Sequence, residues 1–470
     1  MIHTHKKQVC LALVTTVLFA ACVTKKYQPP ALSTDKLYRD STITDTTSLA
    51  NLPVQTLFSD TVLVNLINEG IQENLDLKTA VQRINEARAT LGQTKAAFLP
   101  SLDGSLTATR SKTSAASLNF PPEFVNSFNL KTTTYQGALS TSWEADVWGK
   151  LSSAKRSALA NLLQSDAAKR AVQTQLIANI ANTYYNLLAL DQQLAITRQT
   201  LEIRIKDVET VKALKEGAIV NGAAVVQSEA NRYAAEVTIP DLKQSIRETE
   251  NAMSILLARA PGNIKRTSLT DQKAINDLRI GVPSQLLKNR PDVQQAEFAF
   301  RSAFENTNLA RTYFYPQLTI TAQGGLSTLQ LKNFFDNSIF YNFIGGITQP
   351  IFNKGQNKSR LRTAQAQQRE AYYGLQQSLL TAGQEVSNAL YSYQNAVEKQ
   401  SSRTQQLQAL EKSVEYTKEL LRYSSATNYT DVLTSEQSLL AAQLSSVNDR
   451  LQELQAIVNL YRALGGGWKQ

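Results

Sequence analysis

The stretch from Leu151 to Glu216 is a long unbroken run that contains no glycine and no proline. Apolar residues recur in it every seven positions, which predicts one long helix that packs along a heptad seam. At 1.5 Å per residue this helix would be roughly 100 Å long. Charged residues recur throughout and are costly in lipid, so the helix must lie in water against other helices. The seam comprises Ile180, Leu187, Leu194, Leu201 and Val208, with Ile177, Tyr184 and Ile205 on the same side.

The segment 1–21 predicts a secretory signal peptide. Lys6 and Lys7 precede an apolar run that is too short for a transmembrane helix and ends at Ala21. The residues that lead into Cys22 resemble the bacterial lipoprotein box, which implies covalent lipid on that cysteine. Val23 stands where an aspartate would signal retention, so the resemblance implies export to the outer membrane.

Removal of the segment 1–21 would change the chemistry available to the chain. Both histidines, His3 and His5, would leave together with Cys10, and Cys22 would be the only cysteine left. This excludes histidine acid–base catalysis, a cysteine nucleophile and a histidine or cysteine metal site. The formal charge of +10 arises from lysines and arginines dispersed among acids, which is typical of solvated helix faces and not of nucleic-acid binding.

An internal repeat divides the chain. A single constant shift along the sequence places Leu75 on Pro291, Phe98 on Phe314 and Pro100 on Pro316 without a gap. Each copy reads as helix, strand, loop, strand, long helix and return helix. The predicted segments are a lipidated arm at 22–51, a first repeat at 52–262, a connector at 263–283, a second repeat at 284–465 and a tail at 466–470.

Four segments alternate between apolar and polar residues, which predicts strands with one apolar face. Such strands suit a membrane β-barrel, but four cannot close one, so the barrel would be shared between chains. The alternative is an ordinary antiparallel sheet with one face on a core. The strands are expected over residues 102–109, 135–147, 318–324 and 340–352.

Several motifs together resemble the TolC-type outer-membrane efflux proteins, in particular the lipoprotein branch found with RND multidrug and metal pumps. They are Lys26–Pro30, Arg83–Ala89, Trp143–Lys150, Val282–Leu287 and Arg290–Glu297. The resemblance implies a mainly α fold with a membrane β-barrel. A homotrimer would form a twelve-stranded barrel, continued by a long α-helical barrel that extends from the outer membrane into the periplasm.

The resemblance implies a passive exit duct that carries small molecules such as drugs, toxic compounds or metal ions. Its partners would be a periplasmic adaptor protein, an inner-membrane RND transporter and outer-membrane lipid. No catalytic site, metal or cofactor is expected beyond the lipid on Cys22. Two alternatives remain open, which are a channel for type I protein secretion and a structural coiled-coil lipoprotein without a pore.

The turns between the long and return helices, near 215–225 and 422–433, are the expected regulatory sites. By resemblance, Asp431 narrows the closed entrance, and Thr434 stands where a second aspartate can occur. Asp431 would also suit any helix N-terminus. Gly217 matches a glycine that contacts the adaptor, and a helix C-cap is its alternative role. The other expected adaptor contacts are Arg422, Val432 and Leu433.

Four aromatic residues predict a belt at the lipid boundary. They are Tyr135, Trp143, Trp148 and Phe352. Packing at the junction between strands and helices is an equally good interpretation of Trp148 and Phe352.

Overall fold

The computed structural model describes residues 24–34, 37–39, 47–117, 129–275, 278, 280–423 and 429–469. The chain forms two compact units. The first comprises Met1–Pro30, Asn85–Leu163 and Glu297–Tyr373, and the second comprises Ala31–Ile84, Gln164–Ala296 and Gly374–Gln470. Cys22 and the signal peptide lie outside the described residues.

Seven helices longer than one turn and four strands make up most of the described chain. They are α1 (Thr61–Glu73), α2 (Leu75–Ala96), β1 (Ser101–Lys112), β2 (Lys131–Ala145), α3 (Lys150–Glu216), α4 (Gly222–Leu256), α5 (Pro291–Thr312), β3 (Gln317–Thr328), β4 (Ile339–Thr348), α6 (Gln356–Tyr423) and α7 (Tyr429–Ala463). Short helical turns occur at Leu49–Asn51, Val54–Leu57, Ala115–Ser117, Pro283–Gln285, Leu286–Asn289 and Leu331–Asn333. No helix in these ranges has both the length and the apolar composition needed to span a membrane.

The element lengths confirm the internal repeat. Helices α2 and α5 each have 22 residues, and strands β1 and β3 each have 12. The long helices α3 and α6 have 67 and 68 residues, and the return helices α4 and α7 both have 35. Each of these helices therefore has a counterpart of nearly the same length in the other repeat.

The four strands form one antiparallel sheet in the order β1-β2-β3-β4 within the first unit. The repeats meet where β2 pairs with β3, with Trp143 opposite Ile320. No described strand pairs with the outer edge of β1 or of β4. One face carries apolar side chains from all four strands, namely Leu102, Leu106, Leu139, Trp143, Ile320, Tyr341, Phe343 and Ile347.

This apolar face is exposed to solvent in the single chain. Leu106 is 85% exposed and Tyr341 is 84% exposed. The interpretation as an ordinary sheet with one face on a core is therefore wrong, because the described elements leave most of the apolar face exposed and only Phe334 of the β3–β4 turn lies over part of it. The opposite face is polar and includes Asp103, Thr107, Ser140, Glu144 and Gln323.

Strands β2 and β4 end earlier than the alternating pattern predicts, at Ala145 and Thr348. The physical reason at β2 is that Asp146 caps α3, where it accepts hydrogen bonds of 2.8 and 2.9 Å from backbone N–H groups of the first turn. Glu144 pairs with Lys150 at 2.8 Å across the same turn. The Trp143–Lys150 motif thus encodes a junction between strand and helix.

The seam of α3 is buried as predicted at Ile180, Leu187 and Val208, but Ile205 is 38% exposed. The neighbouring Arg204 is buried instead, with 2% of its surface exposed. A guanidinium replaces the expected isoleucine in the core because an acidic side chain of α7 pairs with it.

The Arg290–Glu297 motif begins with a buried arginine in the second unit. The Arg290 guanidinium contacts Asp292 at 2.9 Å, Glu385 at 2.6 Å and the carbonyl of Ala463 at 2.9 Å. Three helices, α5, α6 and α7, are therefore joined at one side chain. The tail packs nearby, where Trp468 Nε1 donates to the Asn289 carbonyl at 2.8 Å.

Candidate functional site

The tip of the second unit is formed where α3 turns into α4 and where α6 leads towards α7. Its core consists of Val211, Val225, Tyr429, Val432 and Leu433, all buried. The hydroxyl groups of Ser228 and Tyr429 lie 2.8 Å apart. The turn between α3 and α4 is thus packed directly against the start of α7, so a movement of this turn would also move α7.

Asp431 and Thr434 are exposed on the first turns of α7. The Thr434 hydroxyl donates to the Thr430 carbonyl at 2.9 Å, within its own helix. The exposed position of Asp431 at the start of α7 fits two roles, which are stabilising the dipole of that helix and lining an acidic entrance. Its part in a constriction stays a prediction.

The residues expected to contact an adaptor differ in accessibility. Gly217 and Arg422 are exposed, whereas Val432 and Leu433 are buried in the tip core. The side chains of these two residues cannot touch a partner without opening the tip, because they fill the space between its helices. We therefore expect Val432 and Leu433 to fix the shape of the tip, and adaptor contact stays a prediction for Gly217 and Arg422.

Helix α3 ends in a Schellman motif, but its left-handed residue is Ala218 and not Gly217. Ala218 has φ 57°, its N–H donates to the Lys215 carbonyl at 3.0 Å, and the N–H of Ile219 donates to the Leu214 carbonyl at 2.9 Å. A Cβ atom added at Gly217 would meet nothing closer than 3.7 Å. The alternative role of Gly217 as the left-handed C-cap residue is therefore wrong.

Replacing Ala218 with glycine is expected to stabilise the tip by about 1 kcal/mol, because glycine adopts positive φ without the steric cost that alanine pays. Amide hydrogen exchange across residues 211–225 measures this as slower exchange. Gly217→Ala is the matched control and should leave exchange within about 0.5 kcal/mol of the wild type, because the site has room for a methyl group. Faster exchange in Ala218→Gly would contradict the assignment.

Four charged side chains meet between α3, α6 and α7 beside the tip core, and we call them the tip quartet. Arg204 Nη1 lies 2.8 Å from Glu436 Oε2. Lys418 Nζ lies 2.5 Å from Glu436 Oε1 and 3.7 Å from Asp207 Oδ1. Both Arg204 and Glu436 are buried. The quartet is neutral as a whole, so its charges compensate one another in a site that is largely closed to water.

The quartet makes the tip sensitive to pH. Burial, reinforced by the negative charge of Glu436 and opposed by Lys418 and Arg204, raises the pKa of Asp207 to about 6. Between about pH 4 and about pH 6, Asp207 therefore keeps a proton in the folded tip that it releases in the unfolded chain. The resulting stabilisation is complete below about pH 4 and is lost as the pH rises through 6.

Between about pH 5 and about pH 7.5 the tip is expected to lose about 1 kcal/mol of stability. Hydrogen exchange of residues 201–211 at the two pH values measures the loss, after correction for intrinsic exchange rates. Both histidines precede the predicted cleavage site, so no imidazole of the mature chain titrates in this range. Asp207→Asn should abolish the difference, and an unchanged pH dependence in that variant would contradict the assignment.

Sequence reasoning identifies Arg204 and Asp207 only as charges that keep α3 out of lipid. One signal could have identified the quartet. Arg204 follows Leu201 by three residues and precedes Val208 by four, so it falls on the seam. Glu436 falls on the seam of α7 in the same way, between Leu433 and Leu440. Opposite charges at seam positions of two helices indicate a buried pair.

The four predicted belt residues occupy different places in the first unit. Tyr135 and Trp143 lie on the apolar face of β2, eight positions and about 26 Å apart, which is close to the height of a barrel's apolar band. Trp148 packs 5.1 Å from Tyr315 and donates to the Pro316 carbonyl at 2.7 Å, which is junction packing. Phe352 lies beyond β4 and is exposed. The belt itself stays a prediction.

Comparison with known proteins gives consistent results. A family profile described as "Outer membrane efflux protein" matches residues 66–259 and 282–466. The chain is 27% identical to the cation efflux system protein CusC of Escherichia coli O6:H1, over 98% of each chain. It is 30% identical to the pyoverdine export outer membrane protein OpmQ of Pseudomonas putida, over 88% of this chain and 87% of that protein.

The fold agrees with solved structures of the same kind. A crystal structure of CusC superposes with a TM-score of 0.83 at 26% identity, over 94% of this chain and 99% of that one. The first segment matched by the family profile lies within the first predicted repeat, and the second extends beyond the second predicted repeat, 284–465, by two residues at its start and one at its end. Together they cover most of the chain. The chain belongs to the outer membrane efflux protein family.

Proposed function

We propose that three copies of this chain assemble into an exit duct of the outer membrane. Each copy contributes four strands to a twelve-stranded barrel, while α3, α4, α6 and α7 line a helical tube in the periplasm. This proposal rests on the exposed apolar face of the sheet and on its two outer edges, which pair with no strand in the described part of the chain. Lipid covers the face, and pairing of β4 with β1 of the next copy removes the edges, which would otherwise be costly in lipid.

The duct transfers small molecules and does not transform them. It receives them from an inner-membrane RND transporter through a periplasmic adaptor, and the transporter supplies the energy. Relatives named for cation efflux and pyoverdine export support this class of function.

No catalytic activity or bound metal is expected. Within the described ranges no group of histidine, cysteine and carboxylate side chains is arranged to hold an ion. Lipid on Cys22 anchors each copy to the membrane.

The two alternative functions, a tether without a pore and a channel for type I secretion, differ in whether they require this sheet. A coiled-coil tether without a pore has no use for strands with one exposed apolar face and one polar face. A channel for type I secretion would share the barrel and would differ in its partners. The names of the relatives favour small-molecule efflux over protein secretion.

Cross-linking between copies tests the assembly. Cys10 lies in the signal peptide and Cys22 is predicted to be acylated, so introduced cysteines would be the only free thiols. Ser105→Cys in β1 combined with Asn342→Cys in β4 places one thiol near each sheet edge. A flexible bismaleimide should convert this variant to covalent trimers in detergent. Each single variant should give dimers at most, because each copy then carries one free thiol and can form only one cross-link. A monomer by mass, with no cross-linked species, would support the tether instead.

A second test of the proposed function concerns the periplasmic entrance of the duct. If three Asp431 carboxylates meet on the axis, divalent cations should reduce the wild-type current in a planar bilayer. Asp431→Ala should remove this block, and Thr434→Ala should retain it because the Thr434 hydroxyl is engaged within its own helix. Equal block in wild type and Asp431→Ala would refute the acidic constriction.

A further inference from the structure

The apolar face of the sheet ends in a cluster of cations at the end away from the helices, and we call this cluster the basic rim. In the β1–β2 register Ala108 is opposite Tyr135, Arg110 is opposite Thr133, and Lys112 is opposite Lys131. Side chains two positions apart on a strand share a face. Arg110, Lys112 and Lys131 therefore continue the same face as Tyr135, beyond its apolar part.

The basic rim is unfavourable by itself. Lys112 and Lys131 are directly opposed, and like charges in this position destabilise a strand pair. All three cations are exposed, and no carboxylate in the described part of the chain forms an ion pair with any of them. The β3–β4 turn adds Lys332 and Asp336, and the sequence between β1 and β2 adds Glu123, which leaves the local charge positive. An anionic ligand would relieve the repulsion.

Aromatic side chains place the basic rim relative to the lipid. Phe334, from the β3–β4 turn, lies over the apolar face of β2, since a Cβ atom added at Gly137 would be 3.3 Å from its ring. Its neighbour Phe335 stacks edge-on at 5.2 Å and is 84% exposed. With Tyr135 these rings mark the boundary between lipid and water. Both phenylalanines lie in a turn, so no strand pattern in the sequence identifies them.

The cations begin about 7 Å beyond this aromatic boundary, at Arg110, because two residues of a strand span that distance. The polar layer of a bilayer leaflet is roughly 5 to 8 Å thick. Long basic side chains can bend back towards the interface while their charged ends stay in the polar layer. The Arg110 guanidinium is therefore at the depth of lipid head groups. The backbones of Lys112 and Lys131 lie about 13 Å beyond Tyr135, so their ammonium groups reach this depth by bending back. All three side chains are on the lipid side of the sheet.

We propose that the basic rim of Arg110, Lys112 and Lys131 binds the phosphate groups of anionic lipid in the outer leaflet. A guanidinium with two ammonium groups suits a head group that carries phosphate monoesters, because arginine binds phosphate in bidentate fashion and lysine adds point charges. The proposal rests on the proposed function, which places this end of the sheet outside the cell. Bound lipid would hold the sheet at a fixed depth in the membrane.

The test uses full-length acylated protein in detergent and diphosphoryl lipid A as the probe. Binding is measured by native mass spectrometry and by titration of a fluorescent lipid A. The test variant is Arg110→Gln, Lys112→Gln, Lys131→Gln. The control variant, Arg198→Gln, Lys206→Gln, Lys243→Gln, removes the same charges from exposed positions on α3 and α4. The wild type should bind lipid A about ten-fold more tightly than the test variant and about as tightly as the control.

Binding measurements with other lipids identify the chemistry of the ligand. Monophosphoryl lipid A and phosphatidylglycerol should bind more weakly than diphosphoryl lipid A, and phosphatidylcholine should show no dependence on the test variant. Added salt should weaken lipid A binding by wild type more than by the test variant. Equal lipid A affinity in wild type and test variant would overturn the proposal.

Channel conductance in phosphatidylcholine bilayers separates this proposal from the proposed function. If all three proteins conduct and only the test variant loses lipid A binding, both proposals stand. If all conduct and lipid binding is unchanged, only the basic rim fails. If none conducts, the proposed function fails, and the external placement of the basic rim is overturned with it.

Discussion

Replacing Arg204 with alanine is expected to loosen the tip by about 3 kcal/mol, because the buried Glu436 carboxylate keeps only Lys418 and the tip quartet is left with a net negative charge. Amides of residues 201–211 should then exchange about a hundred-fold faster than in the wild type. The effect should extend to α7, since Glu436 lies one turn beyond the buried Val432 and Leu433. Hydrogen exchange read by mass spectrometry gives both values.

Two controls show whether the charge pair is responsible. Arg198→Ala removes an exposed arginine from the same helix and should change exchange by no more than about 0.5 kcal/mol. The double variant Arg204→Met with Glu436→Met should recover most of the protection, because apolar side chains of similar length can replace a buried ion pair. Equal exchange in Arg204→Ala and Arg198→Ala would contradict the role given to the tip quartet.

Replacing Arg290 with alanine is expected to destabilise the second unit by about 3 to 5 kcal/mol. The substitution leaves the Glu385 carboxylate with only the more distant Arg462 guanidinium, at 3.3 Å. It also leaves the Ala463 carbonyl without the guanidinium that binds it and detaches Asp292 at the start of α5. Denaturant titration of the purified protein should show a lower midpoint. Exchange should rise most in the first turn of α5 and the last turn of α7.

Arg259 provides the matched control for Arg290. Its pair with Glu69 has a similar distance, 2.9 Å, but both side chains are more than a third exposed. Arg259→Ala should therefore cost no more than about 1 kcal/mol, because solvent screens the pair. If the two alanine variants lower the midpoint equally, burial does not distinguish the arginines and the role assigned to Arg290 is wrong.

The elements that sequence alone predicts are those with a regular period. Three such patterns are the heptads of α3, the alternation in the strands and the constant shift between the two repeats. Each pattern recurs many times along the chain, so a single exception does not hide it. The pairing of Trp143 with Ile320 depends on two repeats meeting, and no local pattern encodes it. The sheet order is therefore visible only in the structure.

The candidate site is less predictable because it depends on exceptions to those periods. Arg204 is a charge at a seam position, and its burial is understandable only when Glu436 of a distant helix is placed beside it. Ala218 adopts the positive φ that a sequence interpretation assigns to Gly217. The resemblance to a family identifies Asp431 and Gly217, but it does not show that Val432 and Leu433 face inwards.

We propose that three chains form one conducting duct and that its narrowest point is at the tip. Single-channel current through a planar bilayer measures both properties, with purified wild type and Arg204→Ala compared under the same conditions. We predict a small, rarely open current for wild type and a larger, sustained current for Arg204→Ala, with Arg198→Ala behaving as wild type. No current from either wild type or Arg204→Ala, in protein shown by mass to be inserted, would mean that the chain forms no conducting duct.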